Sequence, residues 1–381
     1  MKSNSYLRQE SIKRVLLEIK HYGPISKREL QRITDFSWGN ISSVITLLLN
    51  ENYIMASGKQ ETSVGRKPEE YDINANDNYI IGIDFNSEGI LLVLCDLKGR
   101  AHKKYETKLS PKTKEAAIDA LFNIIGTVLN ENQGKKIYYV ALAMQGKIDT
   151  VSGKAVRNLA IEGWRDIAVC EMIKNRFGLD ALLLHDPDCL LYTEKNLGLL
   201  SEETPSNAIL LRIDHGIGIA ALLDGKIYMG NKEKTCEIGS TIVPSFGSPA
   251  FLKNVVKEKA VEREYLLRTN KILSCPEIAE MARDGDNAAS EIFKNLGSAL
   301  AVAINNASSL LNPEKVVLFG EFLKYSPLFL PETERVLKTF LSEEAPPILI
   351  SEQSGSGAAI GASLFAADRV IESLEFGSNN G

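Results

Sequence analysis

Cysteine is scarce in this 381-residue chain. The five present (Cys95, Cys170, Cys189, Cys236 and Cys275) are odd in number and widely spaced, with no Cys-x-x-Cys pair. That argues against a disulfide framework and against a cysteine-rich zinc site. No apolar run approaches the roughly 18 residues needed to span a bilayer. Met1-Lys2-Ser3-Asn4-Ser5 leads into a charged amphipathic stretch with no continuous apolar leader core, so the expectation is a soluble, cytoplasmic protein without a membrane partner. Compositional bias is missing too. With 44% hydrophobic and 24% charged residues, the chain is neither collagen-like nor disordered, and it has apolar material for two or three packed domains. An excess of positive charge is also lacking: the net of −5 argues against a nucleic-acid-binding surface that covers the whole protein.

The charge is unevenly shared. Residues 1–75 hold 11 Lys+Arg against 9 Asp+Glu, which leaves 33 against 40 for the remainder. In this first part, Ile12, Val15, Leu16 and Ile19 recur at helical spacing, predicting an amphipathic helix from about Ser11 to Lys20 that stops at Gly23-Pro24. Ser26 with Glu29 forms a capping-box pattern before a short second helix carrying Leu30 and Ile33. After Asp35-Phe36, a third helix begins at Ser37. It buries Ile41, Val44, Ile45, Leu48 and Leu49 and presents Trp38, Asn40, Ser42, Ser43 and Thr46. A short helix, a turn and a longer helix with small polar residues near its start is the helix-turn-helix pattern, whose second helix enters the major groove.

Tyr53-Ile54-Met55 and Tyr71-Asp72-Ile73 flank a polar loop and read as a two-stranded wing. Lys59, Arg66 and Lys67 supply the positive charge of its tip, where glycine-supported cations can reach phosphates or a minor groove. The competing reading is a helical cap or dimerisation module. Polar residues at the groove-facing positions, where an interaction module would place apolar ones, favour DNA. Trp38 either stacks on a sugar or base edge or packs against Phe36.

From Asn78 onward strands and helices alternate. Tyr79–Asp84 and Gly89–Asp96 read as strands, with Lys98-Gly99-Arg100 turning into a third. A helix follows over about residues 112–130, then a strand over 136–143, a helix over 167–177 and a strand over 181–184. Strands at 207–214, 220–223, 226–228 and 315–319, with helices between, repeat the plan. The expected fold class is α/β: an N-terminal all-α winged helix-turn-helix over residues 1–75, then a two-lobed actin-like ATPase body of ribonuclease H-like sheets over 76–381.

Six segments of the body resemble, in order, the ROK family, named for its repressors, open reading frames and kinases. Gly146-Lys147-Ile148-Asp149 with Gly153, Asn158-Leu159 and Gly163-Trp164 is similar to its sugar-side loop. His185-Asp186-Pro187-Asp188 through Glu194 and Gly198 is similar to its Asn-Asp catalytic motif. His215–Ala220 with Asp224-Gly225-Lys226 and Gly230 resembles its second glycine-rich turn. Glu237-Ile238-Gly239 matches the start of its Glu-x-Gly-His motif. Leu311–Val317 and Gly357–Ala362 match its C-terminal signatures. The winged helix is what the family's repressors carry.

The resemblance implies a sugar pocket of Gly146, Lys147, Asn158, His185, Asp186 and Glu237, with Asp186 matching the family's catalytic base. Asp186 also reads as a helix N-cap. Paired acceptors such as Asp186 and Glu237 suit vicinal hydroxyls, and Lys147 or His185 suits an anionic substituent. Three departures argue against catalysis. Asp84-Phe85-Asn86-Ser87-Glu88-Gly89 stands where family kinases have Asp-x-Gly-Gly-Thr, putting side chains where backbone must meet a polyphosphate; Asp84 is then expected as a turn residue rather than a metal ligand. Ser240 replaces the motif's His, and Ser245-Phe246-Gly247-Ser248-Pro249 leads on without a cysteine, so no zinc is expected. His185 stands where the catalytic pair has Asn.

The reading is therefore a DNA-binding transcriptional regulator, a repressor of carbohydrate-related genes and not an enzyme. It acts on double-stranded operator DNA as a homodimer or higher oligomer, with a sugar or sugar derivative as effector and no cofactor. The alternatives are a sugar kinase with an appended DNA-binding domain, and a DNA-binding protein whose pocket is a structural remnant.

Overall fold

The structure is a computed structural model that describes residues 4–57, 69–86, 88–158, 160–214, 216–230, 237–341, 345–353 and 355–375. Lys59, Arg66, Lys67, His215 and Cys236 lie outside the described residues. The chain forms two compact units, one of residues 1–189 with 355–381 and one of residues 190–354.

The first unit begins with α1 (Asn4–Tyr22), longer at both ends than the apolar spacing predicts, then β1 (Ile25–Ser26), α2 (Lys27–Thr34), α3 (Trp38–Asn50), β2 (Ile54–Ser57) and β3 (Glu70–Ile73). The capping box forms as expected: Glu29 N donates to Ser26 Oγ, and the Glu29 carboxylate accepts from Ser26 N at 3.0 Å. The Ser26 hydroxyl, which donates to the Glu29 carboxylate at 2.7 Å, and then the Ser26 N–H hold that carboxyl below its ordinary range. Ser37 caps α3 by accepting from Asn40 N. Ile12, Val15, Leu16, Ile19, Leu30, Ile41, Ile45 and Leu48 are buried. The all-α expectation is corrected by a three-stranded sheet of order β1-β3-β2. Ile25 and Ser26, too short a segment to register as a strand, pair with Tyr71 and Glu70.

The same unit continues through β4 (Asn78–Phe85), β5 (Gly89–Asp96), β6 (Ala101–Lys108), α4 (Lys114–Glu131), β7 (Lys136–Met144), β8 (Lys147–Asp149), β9 (Lys154–Arg157), β10 (Arg165–Ile167), α5 (Val169–Phe177) and β11 (Asp180–His185). The main sheet has the order β11-β7-β4-β5-β6, with β4, β7 and β11 parallel and β5 and β6 antiparallel. Ile167 ends a strand of the small β10-β9-β8 sheet, so α5 starts later than its pattern suggests. Asp84 is corrected as well. It lies inside β4, and the turn is made downstream by Asn86, whose Oδ1 accepts from Glu88 N and Gly89 N.

The chain leaves this unit within α6 (Asp186–Leu197). The second unit holds β12 (Ala208–Ile213), β13 (Ile217–Leu223), β14 (Lys226–Ile227), the hairpin β15 (Ile242–Ser245) and β16 (Ser248–Phe251), α7 (Glu258–Thr269), α8 (Cys275–Arg283), α9 (Asn287–Leu311), β17 (Lys315–Phe319), α10 (Ser326–Leu341) and β18 (Ile348–Ile350). Its sheet, β14-β13-β12-β17-β18, repeats the plan of an antiparallel meander, β12-β13-β14, with two further strands, β17 and β18, added parallel to β12. Asn295 of α9 pins the hairpin tip, donating to Ser245 Oγ at 3.1 Å and accepting from Phe246 N at 2.8 Å.

Finally α11 (Gly357–Ser373) returns to the first unit. A Cβ on Gly82 would sit 2.1 Å from Ala359 O, so glycine is what lets β4 and α11 approach so closely. Farther along α11, Asp368 pairs with Lys20 of α1, whose side chain is 2% exposed. A lysine this buried is tolerated because its charge is matched. Lys98 Nζ bridges the same junction, 2.9 Å from Asp72 and 2.6 Å from Gly23 O.

Candidate functional site

Two places gather the residues singled out by sequence. The first is the outer face of α3. Gly39, Ser43, Thr46 and Asn50 are exposed at spacings of four, three and four residues, while Asn40 and Ser42 flank this stripe half-buried. Trp38 opens the helix at 51% exposure. Ser37 is committed to the cap and Thr46 Oγ1 donates to Ser42 O. Arg28 and Arg32 are exposed on α2 four residues apart, although the motif reading passed over them. Their signal was available: Glu29, the acid between them, is consumed by the capping box, which leaves α2 an outward cationic edge.

The second place is the carboxyl edge of the parallel strands in the first unit, where Phe85, Met144 and His185 lie in register on β4, β7 and β11. Ligand crevices in α/β sheets form outside this edge. Gly146 follows β7 with φ +98, and a Cβ there would meet Arg157 O at 2.5 Å. Asn158 ties the neighbouring loop together: its Oδ1 accepts from Ala160 N, its Nδ2 reaches Gln145 O at 3.4 Å and its N donates to Trp164 O. Asn158 thus shapes the loop at least as much as it offers a ligand contact. Lys147 starts β8 and is exposed. His185 ends β11, with Nε2 3.9 Å from Asp186 and Nδ1 4.0 Å from Asp188. Asp186 opens α6 and is buried. Glu237 is exposed ahead of a 3-10 turn, Ile238–Ser240, in the second unit.

Asp188 is the residue that sequence reasoning underused. Both of its carboxylate oxygens are buried without a hydrogen-bond partner among the described residues, as are His185 Nδ1 and Trp164 Nε1. Burial, reinforced by the Asp186 charge, holds the Asp188 carboxyl well above its ordinary range. The same charges, after burial, push up the Cys189 thiol. Trp164 stacks on Phe85 with ring centroids 5.0 Å apart. Orphaned donors and acceptors are thus concentrated around one sheet edge, where buried polar atoms normally find partners. The signal for Asp188 was its place directly before Cys189-Leu190-Leu191, on the apolar face of the coming helix. A groove of about 600 Å³ between β6 and α4, lined by Tyr105, Asp119 and Asn123 among others, is a separate feature.

The corresponding edge of the second unit is closed on itself. Asp214, just past β12, accepts from Arg212 Nε at 2.6 Å and from Glu321 N, just past β17, at 2.7 Å. A backbone N–H that could face an anion is already held by the chain's own carboxylate. No group of His, Cys, Asp and Glu suited to a metal ion occurs among the described residues. None of their helices is long and apolar enough to cross a membrane.

The ROK family model matches residues 80–369. The chain belongs to the ROK family. Among its curated relatives are a xylose repressor from Bacillus spizizenii, 24% identical with 86% of each chain covered, and the DNA-binding transcriptional dual regulator NagC of Escherichia coli, 24% identical with 84% of this chain and 82% of NagC covered. A crystal structure of a ROK family transcriptional regulator, a homologue of the E. coli MLC protein, has a TM-score of 0.80 at 20% identity and covers 96% of both chains. A ROK family glucokinase from Streptomyces griseus, solved with glucose and AMPPNP, has a TM-score of 0.61 at 19% identity; it is covered to 98% but covers 75% of this chain. The α/β fold read from sequence agrees with these structures. The regulator reading, in preference to the kinase one, agrees with the ROK repressors among the relatives.

Proposed function

We propose that the chain is a transcriptional repressor of carbohydrate-related genes. In this reading residues 1–75 grip operator DNA, residues 76–381 dimerise, and the edge formed by Gly146, Lys147, Asn158, His185 and Asp186 receives a sugar or sugar derivative. The observation that carries the reading is the joining of a capped helix-turn-helix, with its polar α3 face, to a kinase-like body whose second sheet edge is occupied by Asp214. The reading includes a dimer because one recognition helix reads too few base pairs for a specific operator. Wing residues Lys59, Arg66 and Lys67 add phosphate contacts in this reading.

The test is anisotropy with the full chain and duplexes from the DNA upstream of its own gene, across salt, with and without a panel of hexoses, pentoses, amino sugars and their phosphates. The expected result is a salt-sensitive, sequence-selective complex weakened by one sugar class, with no ADP released from ATP. Sugar-dependent ADP release that Asp186→Asn abolishes would overturn the reading in favour of a kinase.

A further inference from the structure

The recognition helix has an unusual chemistry. From Trp38 to Asn50 its sequence is WGNISSVITLLLN, without a single charged side chain. The most frequent specific contact in a major groove is an arginine or lysine to guanine O6 and N7, and α3 has no residue that can make it. What its outer face does offer is two side-chain amides, Asn40 in the first turn and Asn50 at the last residue, with small hydroxyls, a threonine methyl and an indole. Asn40 stands in the first turn, half-buried at its base, with Nδ2 3.4 Å from Ser11 Oγ, the long end of hydrogen-bonding range. That bond uses one Nδ2 hydrogen; the second and Oδ1 have no partner among the described residues, and adenine, with N6 as donor and N7 as acceptor, is the base that an asparagine matches. Thr46 spends its hydroxyl on Ser42 O, which leaves the methyl as its outward group, suited to the thymine methyl.

Gly39 adds an independent observation. It is exposed on the same stripe, and a Cβ built there would meet nothing within 4 Å. No packing constraint within the chain explains a glycine at this position, and its φ is not in the left-handed region. A bare backbone inside a helix is disfavoured. It is useful where an outside surface must come close, as a groove floor or a phosphate does. Charge is supplied separately, by Arg28 and Arg32 of α2, in the position from which the first helix of such a motif crosses the DNA backbone.

Resting on the DNA-binding reading above, we infer that α3 reads A·T pairs, with Asn40 on adenine, Thr46 and Trp38 against thymine methyls and Gly39 allowing close approach, and that it specifies no guanine. The experiment is selection of the full chain on randomised duplexes, followed by anisotropy on the enriched site with single base-pair changes. The expected site has A·T pairs at the positions under α3. Replacing the adenine read by Asn40 with guanine weakens binding about 5- to 150-fold. Asn40→Ala removes that discrimination, so that the adenine and guanine forms of the site bind alike. Asn40→Arg moves the preference at that one position toward guanine, a gain that a misfolded variant cannot imitate. Enrichment of a guanine under α3 in the wild type, or an unchanged base ranking in Asn40→Ala, overturns the inference and leaves DNA binding standing. Failure to enrich any sequence overturns the DNA-binding reading beneath it.

Discussion

The two five-stranded sheets share one plan but end differently at their carboxyl edges. In the first unit, His185 and Asp188 carry buried polar atoms without partners, and Trp164 does the same. In the second, Asp214 takes up Arg212 and the N–H of Glu321, so that edge is satisfied from within. An unsatisfied edge costs stability unless something binds to it, whereas a self-satisfied edge has no such need. The two edges thus differ in what they leave open: in the second unit a carboxylate of the chain takes the N–H of Glu321, while the first keeps buried polar atoms without partners among the described residues.

Three perturbations break or sharpen this contrast. The largest effect is expected from Asp214→Ala, which removes the carboxylate shared by Arg212 Nε and the N–H of Glu321; urea unfolding should show a loss of about 2–3 kcal/mol. An unchanged midpoint would mean that the second edge is not held by this carboxylate.

The next is Asp188→Asn. Burial raises the Asp188 pKa, so the folded chain retains a proton that the unfolded chain releases above about pH 4. Stability from this group therefore falls as pH rises. The variant, neutral throughout, should gain on the wild type between pH 5 and pH 8, reaching about 1–2 kcal/mol of advantage at the upper end. Melting curves in matched buffers read this directly, and a gap that shrinks with pH would show that Asp188 is paired as an ion.

The smallest effect is expected at the β15–β16 hairpin. Asn295→Ala should cost about 1 kcal/mol by freeing its tip, and a chelator should leave the melting temperature of wild type and variant alike unmoved. A chelator-induced drop would reveal a metal role that the residues here do not suggest.

Local signals were the legible ones. Ser26 with Glu29, and Ser37 before Trp38, announced their helices because a cap is made by residues three apart. The alternation of β4 to β7 with α4 announced the sheet. Ile348-Leu349-Ile350 did not announce β18, because three residues after two prolines carry no pattern of their own; their strand exists because Val316 to Leu318 pair with them. Asp84 looked like the head of a polar turn, yet Phe85 stacks on Trp164 and pairs with Met144, which keeps β4 extended past it. The role of Asp214 was hidden for the same reason: its partner Glu321 lies 107 residues away. Of the candidate pocket, the residues on one sheet edge could be read from motif order, while the burial that makes Asp188 costly could not, since it arises from tertiary packing.

The return of α11 has a consequence for the order in which the molecule becomes competent during synthesis. Lys20 is translated early, but its counter-charge, Asp368, is added near the end. Until residues 357–373 leave the ribosome, α1 has neither its ionic partner nor the helix surface it packs on. A product that stops short of α11 therefore lacks both the ionic partner of Lys20 and the surface on which α1 packs.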